Sequence, residues 1–127
     1  MKATVLLFNI NEKVRLRTIA STLLPLGFQV KKVNREDYLQ SIGYLAGSKS
    51  INSIEGIYDG SELEDEMIVM AGMGSHDIDR LIMAFRKAKL TPVNYKAMLT
   101  ETNQYWDVLQ LYKELEKEHE AMKKSID

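Results

Sequence analysis

The residues best suited to chemistry by type are the two histidines, His76 and His119. His76 precedes Asp77 and Asp79, but a zinc site needs three or four ligands in fixed geometry, and this spacing matches no established metal motif. His119 stands between two glutamates on a predicted charged helix, where a solvated helix face explains it. The chain has no cysteine, which excludes disulfides, thiolate catalysis and cysteine-held metal centres. We therefore predict no metal and no cofactor.

Other catalytic patterns have little support in the sequence. No serine occupies a Gly-x-Ser-x-Gly elbow, and paired carboxylates occur only in a predicted linker and on exposed helix faces. We therefore assign no catalytic residue. A non-catalytic domain that binds a ligand or a protein, in regulation or assembly, is the preferred hypothesis. An enzyme acting on a small polar substrate is the alternative.

The glycine-rich turn Gly72-Met73-Gly74-Ser75-His76-Asp77 lies between a predicted strand and a predicted helix. It resembles the start of a dinucleotide-binding fingerprint, in which glycines let backbone amides approach a phosphate. Asp77, however, stands where the third glycine belongs, and Asp79 adds negative charge that repels an anion. We therefore favour a tight turn with Ser75 as the helix N-cap, and keep phosphate binding as the alternative.

Four apolar segments predict strands that must position these residues. Val5–Phe8 and Met67–Met70 are apolar at every position, as in strands covered on both faces. Phe28–Val33 and Thr91–Met98 are partly polar, which suits the edges of a sheet. Each strand is followed by apolar residues at helical spacing, with N-caps predicted at Asn11, Asn34, Ser75, and Thr102 or Asn103.

The alternation of strands and helices predicts an α/β fold made of two βαβα units. The expected sheet has four strands in the order 2-1-3-4, is mainly parallel, and carries helices on both faces. The halves align at an offset of 62 residues, with Leu6 against Ile68 and Leu16 against Ile78. That repetition also suits a ferredoxin-like α+β sandwich, in which the central strands run antiparallel. This sandwich is the alternative fold.

Residues 47–66 form an acidic linker between the two units of a single domain, 1–46 and 67–127. The linker carries one lysine and six acids. Either Ile54–Tyr58 forms a further strand or the segment is mobile, and we expect it to be mobile. A docking surface for a basic partner is a further possibility.

The charge of the whole chain limits its partners. Seventeen basic and eighteen acidic residues give a net charge of −1, so no basic field exists for nucleic acid or an anionic membrane. No apolar run approaches the length of a membrane span, and the N-terminal apolar stretch is too short for a signal peptide. We expect a cytoplasmic protein.

The most distinctive segment is Lys96–Trp106, in which hydroxyl and amide side chains cluster before the single tryptophan. Together with Met67–Gly72, the Asp77–Lys89 helix, and Leu111–Leu115 with Glu118–Glu120, it resembles a family of short bacterial proteins known only as a domain of unknown function. The resemblance covers residues 65–121 and implies a bacterial cytoplasmic origin. It implies no activity, and it marks Lys96–Trp106 as the place to look for a site.

We expect a ligand to bind beyond the carboxyl ends of the strands, where strand order reverses. A neutral polar ligand suits these amide and hydroxyl groups better than a polyphosphate. Seven methionines and several aromatic side chains on helix faces also point to a homodimer. The predicted ligand-binding residues are Asn9, Asn11, Gly72, Gly74, Ser75, His76, Lys96, Thr100, Thr102 and Asn103.

Overall fold

The structure is a computed structural model that describes residues 1–126, with side chains described through Lys123. The four strands are β1 (Thr4–Phe8), β2 (Gln29–Val33), β3 (Met67–Ala71) and β4 (Tyr95–Met98). The α-helices are α1 (Lys13–Leu23), α2 (Ile42–Leu45), α3 (Ser75–Lys87) and α4 (Val108–Ile126). Short 3₁₀ turns occupy Leu24–Leu26, Arg35–Asp37 and Asn103–Tyr105.

The sheet has the predicted order, β2-β1-β3-β4. β1 runs parallel to β2, and β3 runs parallel to β4. The central pair is antiparallel, with Thr4 opposite Ala71 and Phe8 opposite Met67. The prediction of a mostly parallel α/β sheet is confirmed. The ferredoxin-like sandwich is not formed, because each outer strand runs parallel to its central neighbour.

The two central strands are buried on both faces of the sheet. Leu6, Phe8 and Val69 belong to the core that α2 and α4 cover. Val5 and Ile68 belong to the opposite core, which α1 and α3 cover. Each such side chain contributes about 1.5–3 kcal/mol when it is removed from water, so the uniformly apolar strands must occupy the centre.

The first helix begins one residue later than predicted. The carboxylate of Glu12 accepts hydrogen bonds from the backbone N–H groups of Val14 (3.0 Å) and Arg15 (2.7 Å), so Glu12 is the N-cap. These two bonds lower the pKa of the Glu12 carboxyl. The prediction of Asn11 as N-cap is therefore wrong, and its side chain donates to the Asn9 Oδ1 instead.

The predicted caps of the third and fourth helices also shift. Gly74 is the N-cap residue of α3 and Ser75 is its first helical residue. For α4, Asp107 rather than Thr102 or Asn103 caps the first turn, since its Oδ1 accepts from the Gln110 N–H at 2.8 Å. The predicted second helix, with Asn34 as its cap, is instead a 3₁₀ turn at Arg35–Asp37 followed by the short helix α2, which Ser41 caps.

The linker contains no strand and no helix between Ala46 and Met67, so the predicted alternative strand at Ile54–Tyr58 is wrong. The segment is nevertheless held against the fold. The Gln40 side chain donates to the Ile54 carbonyl (2.8 Å) and accepts from the Ile54 N–H (2.9 Å). The Tyr58 N–H donates to the Glu36 carbonyl at 3.1 Å. These bonds hold the linker against the fold at Ile54 and Tyr58, and its mobility stays a prediction.

The end of the linker is anchored by side chains of the core and of α1. Tyr38, which is fully buried, donates its hydroxyl proton to the Glu62 carboxylate. Burial and this acceptor both raise the Tyr38 pKa well above its ordinary value, so the phenol stays protonated. Arg15 makes a bidentate ion pair with Glu66, at 2.7 and 2.8 Å.

Limited proteolysis tests this arrangement. The first cut should fall between Lys49 and Ile57, where most residues are exposed, rather than inside α3. The Gln40→Ala variant loses both bonds to Ile54, which lowers the free energy of local opening by about 1–3 kcal/mol. Cleavage by Glu-C after Glu55 should therefore become about tenfold faster, because cleavage follows the population of the open form.

Gln29→Ala is the matched control, since Gln29 is an exposed glutamine on β2. Its cleavage rate should equal that of the wild type. Equal rates for the Gln40→Ala variant and the wild type would show that the Gln40 amide does not anchor the linker.

Candidate functional site

The predicted site residues do not share one end of the sheet. Because β1 and β3 are antiparallel, Asn9 follows β1 at the end where β3 begins. Gly72 follows β3 at the opposite end, where β1 begins. Asn9 and Asn11 therefore lie at one end of the sheet, and the turn from Gly72 to His76 lies at the other. The prediction that one rim holds them all around a polar ligand, or around the substrate of the alternative enzyme, is wrong.

Asn9 anchors the linker. Its backbone adopts a left-handed conformation (φ 59°), which asparagine tolerates better than most residues. Its Nδ2 donates to the Leu63 carbonyl at 2.9 Å and to the Asp65 carbonyl at 3.4 Å. Its Oδ1 accepts from Asn11. Both polar atoms of the Asn9 side chain thus have partners within the fold.

The turn after β3 is shaped by a close backbone approach. Gly72 has φ 68°, and a Cβ added there would lie 2.9 Å from the Met1 carbonyl oxygen and 3.0 Å from that of Lys2. Only glycine fits such a position. The Gly74 N–H, which a phosphate would need, donates to the Asp77 carboxylate at 3.2 Å. The geometry is that of a tight turn followed by a capped helix.

Thr100 and Asn103 hold one another in a closed turn. The Thr100 N–H donates to Asn103 Oδ1 (2.8 Å), and the Asn103 N–H donates to Thr100 Oγ1 (3.0 Å). The Asn103 Nδ2 donates to the Met98 carbonyl at 2.8 Å, and the residue is buried. Thr102 is exposed. Both polar atoms of the Asn103 amide therefore have partners within the fold.

This turn fixes the chain against α2. The Trp106 carbonyl accepts from the Ile42 N–H at 2.8 Å. The Val108 N–H donates to the Tyr38 carbonyl at 3.2 Å. A Cβ added at Gly43 would lie 2.9 Å from the Gln104 carbonyl oxygen, so the two backbones touch. Most of the distinctive segment therefore joins the second unit to the first.

Lys96 has a different setting, at the rim of an apolar crevice of about 290 Å³ between α3 and β4. Lys96 lies opposite Ile68 in the β3–β4 register and is exposed. Apolar side chains of β3, α3 and the α3–β4 connection line the crevice: Ile68, Leu81, Ile82, Phe85, Leu90 and Val93. The chain thus carries an accessible apolar cavity beside its edge strand.

The connection from α3 to β4 forms part of the crevice wall. Lys89 ends the helix in a left-handed conformation (φ 56°), and the Leu90 N–H donates back to the Phe85 carbonyl at 3.0 Å. Pro92 follows and also borders the crevice. Leu90, Pro92 and Val93 of this connection therefore belong to the lining of the crevice.

Two cations border the apolar lining. Arg86 belongs to α3 and Lys96 to β4. The Lys96 ammonium donates to the Val93 carbonyl at 2.7 Å, which holds it at the rim. Within residues 1–123, neither side chain forms an ion pair with a carboxylate. The crevice therefore combines an apolar interior with positive charge that has no acidic partner in that part of the chain.

Sequence reasoning found Lys96 but missed Arg86 and the crevice itself. Leu81, Ile82 and Phe85 match the apolar face of a core helix, so their pattern alone does not reveal a cavity. The available signal was the polarity of the fourth strand. Lys96 and Met98 lie two positions apart on one face of this strand, and both are exposed. Their exposure indicates an edge strand with space beside it.

Across the part of the chain with described side chains, no cluster of three or more histidine, aspartate or glutamate residues could hold a metal ion. None of the helices in residues 1–126 combines the length and apolar character that a membrane crossing requires.

Replacing Asn103 tests the structural role of the turn. Asn103→Ala leaves the Thr100 N–H and the Met98 carbonyl without their partners, and should lower the free energy of unfolding by about 1–3 kcal/mol. The exposed Thr102→Ala control should cost about 0.5 kcal/mol or less. Urea unfolding of both variants measures the difference. Equal stabilities would contradict a structural role for the buried amide.

The comparison with known proteins concerns the second half of the chain. Residues 66–122 match the family model DUF3783, which is described as a domain of unknown function. No curated protein and no solved structure gives a significant match to the chain. The match includes the β3–α3–β4 unit, the distinctive Lys96–Trp106 segment and much of α4. The resemblance over residues 65–121 is thus confirmed by a family-model match to residues 66–122.

Proposed function

We propose that the chain is a non-catalytic binding domain whose α3–β4 crevice takes a small organic anion with an apolar body. One observation carries this proposal: the apolar crevice is bordered by Arg86 and Lys96, two cations without carboxylate partners in residues 1–123. A carboxylate at the rim would meet both charges, while an aryl or alkyl group would enter the apolar lining.

The chemistry of the crevice differs from that of the polar ligand expected from sequence. The side chains that suggested such a ligand, above all Asn9 and Asn103, use their polar groups in bonds within the fold. Among the predicted site residues, Lys96 is the one that borders this crevice. The apolar lining supplies most of the favourable free energy, and the two cations select the sign of the ligand charge.

The crevice sets the size and affinity of the ligand. A volume of about 290 Å³ lies at the lower end of small-molecule pockets, which suits a phenyl ring or a short alkyl chain. The two cations are exposed, so each adds only about 0.2–1 kcal/mol to binding. We therefore expect dissociation constants on the order of 1 mM for simple aryl or alkyl carboxylates. Weak, reversible binding without chemical conversion suits a role in regulation or assembly.

An NMR titration with 4-phenylbutyrate tests the proposal. Backbone and methyl resonances of Ile68, Leu81 and Val93 should shift with a single saturating curve, because they line the crevice. The neutral analogue 4-phenylbutan-1-ol should bind more weakly. Arg86→Gln and Lys96→Gln should each weaken carboxylate binding about two- to fivefold, with little effect on the alcohol.

Lys32→Gln is the matched control, because Lys32 is an exposed lysine on β2, away from the crevice. It should leave the titration unchanged. The proposal fails if 4-phenylbutyrate produces no shifts at the crevice, or if the carboxylate and the alcohol bind equally well to the wild type and to the glutamine variants.

A further inference from the structure

Ile57 is the more exposed of two apolar linker residues that face solvent, the other being Ile54, which is 52% exposed. Ile57 is 75% exposed, and the acidic residues Glu55 and Asp59 stand two positions away on either side and are exposed as well. The flanks of this position are anchored. Ile54 is bonded to Gln40, and Tyr58 packs its ring against Tyr38 at 5.8 Å between centroids. Ile57 is therefore exposed between two residues that contact the rest of the fold.

We propose that this segment, Ile54–Asp59, binds the α3–β4 crevice of a second copy of the chain. Ile57 enters the apolar lining, and Glu55 and Asp59 lie beside Arg86 and Lys96 of the other copy. The inference rests on the proposed function, because it requires the crevice to accept an apolar group accompanied by carboxylates. It names the occupant as a segment of the same protein.

Charge complementarity favours this occupant. The crevice carries two cations at its rim, and the segment carries two acids around its exposed isoleucine. The neighbours Arg35 and Glu36, which border the same loop, cancel in charge. A crevice facing a crevice, or a loop facing a loop, would place like charges together, so the contact joins two different surfaces.

The segment cannot reach the crevice of its own molecule. Its anchors, Gln40 and Glu36, follow β2, which is one outer strand of the sheet. The crevice lies beside β4, the other outer strand. The bonds that fix the segment would have to break before it could cross the sheet. Contact between copies preserves these bonds, and a segment already held at both flanks loses less entropy on binding than a free one.

A mixing experiment with two variants tests the contact. Ile57→Lys removes the apolar group of the segment and adds a charge that the rim repels. The double variant Arg86→Glu/Lys96→Glu reverses the rim. All three positions are exposed, so both proteins should fold, which circular dichroism checks. Sedimentation velocity at protein concentrations up to about 1 mM should show that the wild type self-associates. The association should weaken at high salt, because salt screens the charges of the contact.

Each variant alone should stay monomeric. An equimolar mixture should form a complex of two chains, because the double variant still offers its segment and Ile57→Lys still offers its crevice. Val14→Lys is the matched control, since Val14 is 62% exposed on α1, and it should associate like the wild type. Added 4-phenylbutyrate should dissociate the wild-type assembly by occupying the crevice.

The outcomes separate the two proposals. If 4-phenylbutyrate binds the crevice but the wild type stays monomeric, this inference is overturned and the proposed function stands. If 4-phenylbutyrate does not bind and the wild type stays monomeric, both fall. Self-association that persists in either variant alone, or a mixture that forms no complex, also overturns the contact between segment and crevice.

Discussion

The antiparallel pairing of β1 and β3 is the constraint on which the rest of the structure depends. Both strands are buried on both faces, so their pairing forms the centre of two cores. Each central strand carries a parallel outer strand, which makes two βαβ units that point in opposite directions along the sheet. The loops after β1 and β3 therefore lie at opposite ends, and no shared rim collects their polar residues. The cavity that remains lies beside an edge strand, where α3 leaves β4 partly uncovered.

Much of this fold can be predicted from the sequence because burial determines it. Uniformly apolar strands belong at the centre and partly polar ones at the edges, which places β1 and β3 in the middle of the sheet. The preference of consecutive strands for pairing then places β2 beside β1 and β4 beside β3. The direction of β3 relative to β1 is a different matter. Residues 47–66 join the two units without regular structure, and an irregular connection of that length can reach either end of the sheet. No handedness rule applies to it, because that rule governs crossovers between parallel strands.

The candidate site was harder to predict for a related reason. Polar residues such as Asn9 and Asn103 attract attention because they can bind ligands, but the same hydrogen-bonding capacity anchors a linker and closes a turn. The crevice is built from residues whose helical spacing is that of an ordinary core, and Arg86 resembles any solvated arginine. Ile57 is the opposite case, because the acidic composition of the linker does not indicate that one of its apolar side chains is exposed. Only the placement of α3, β4 and the linker reveals which of these groups face open space.

Nuclear Overhauser contacts between the two central strands test the account most directly. The antiparallel register predicts contacts between Val5 and Met70 and between Leu7 and Ile68, so that residue numbers rise on one strand as they fall on the other. Contacts between Val5 and Ile68 together with contacts between Leu7 and Met70 would show a parallel centre. That result would return Asn9 and Gly72 to a common end of the sheet and contradict the location of the site beside β4.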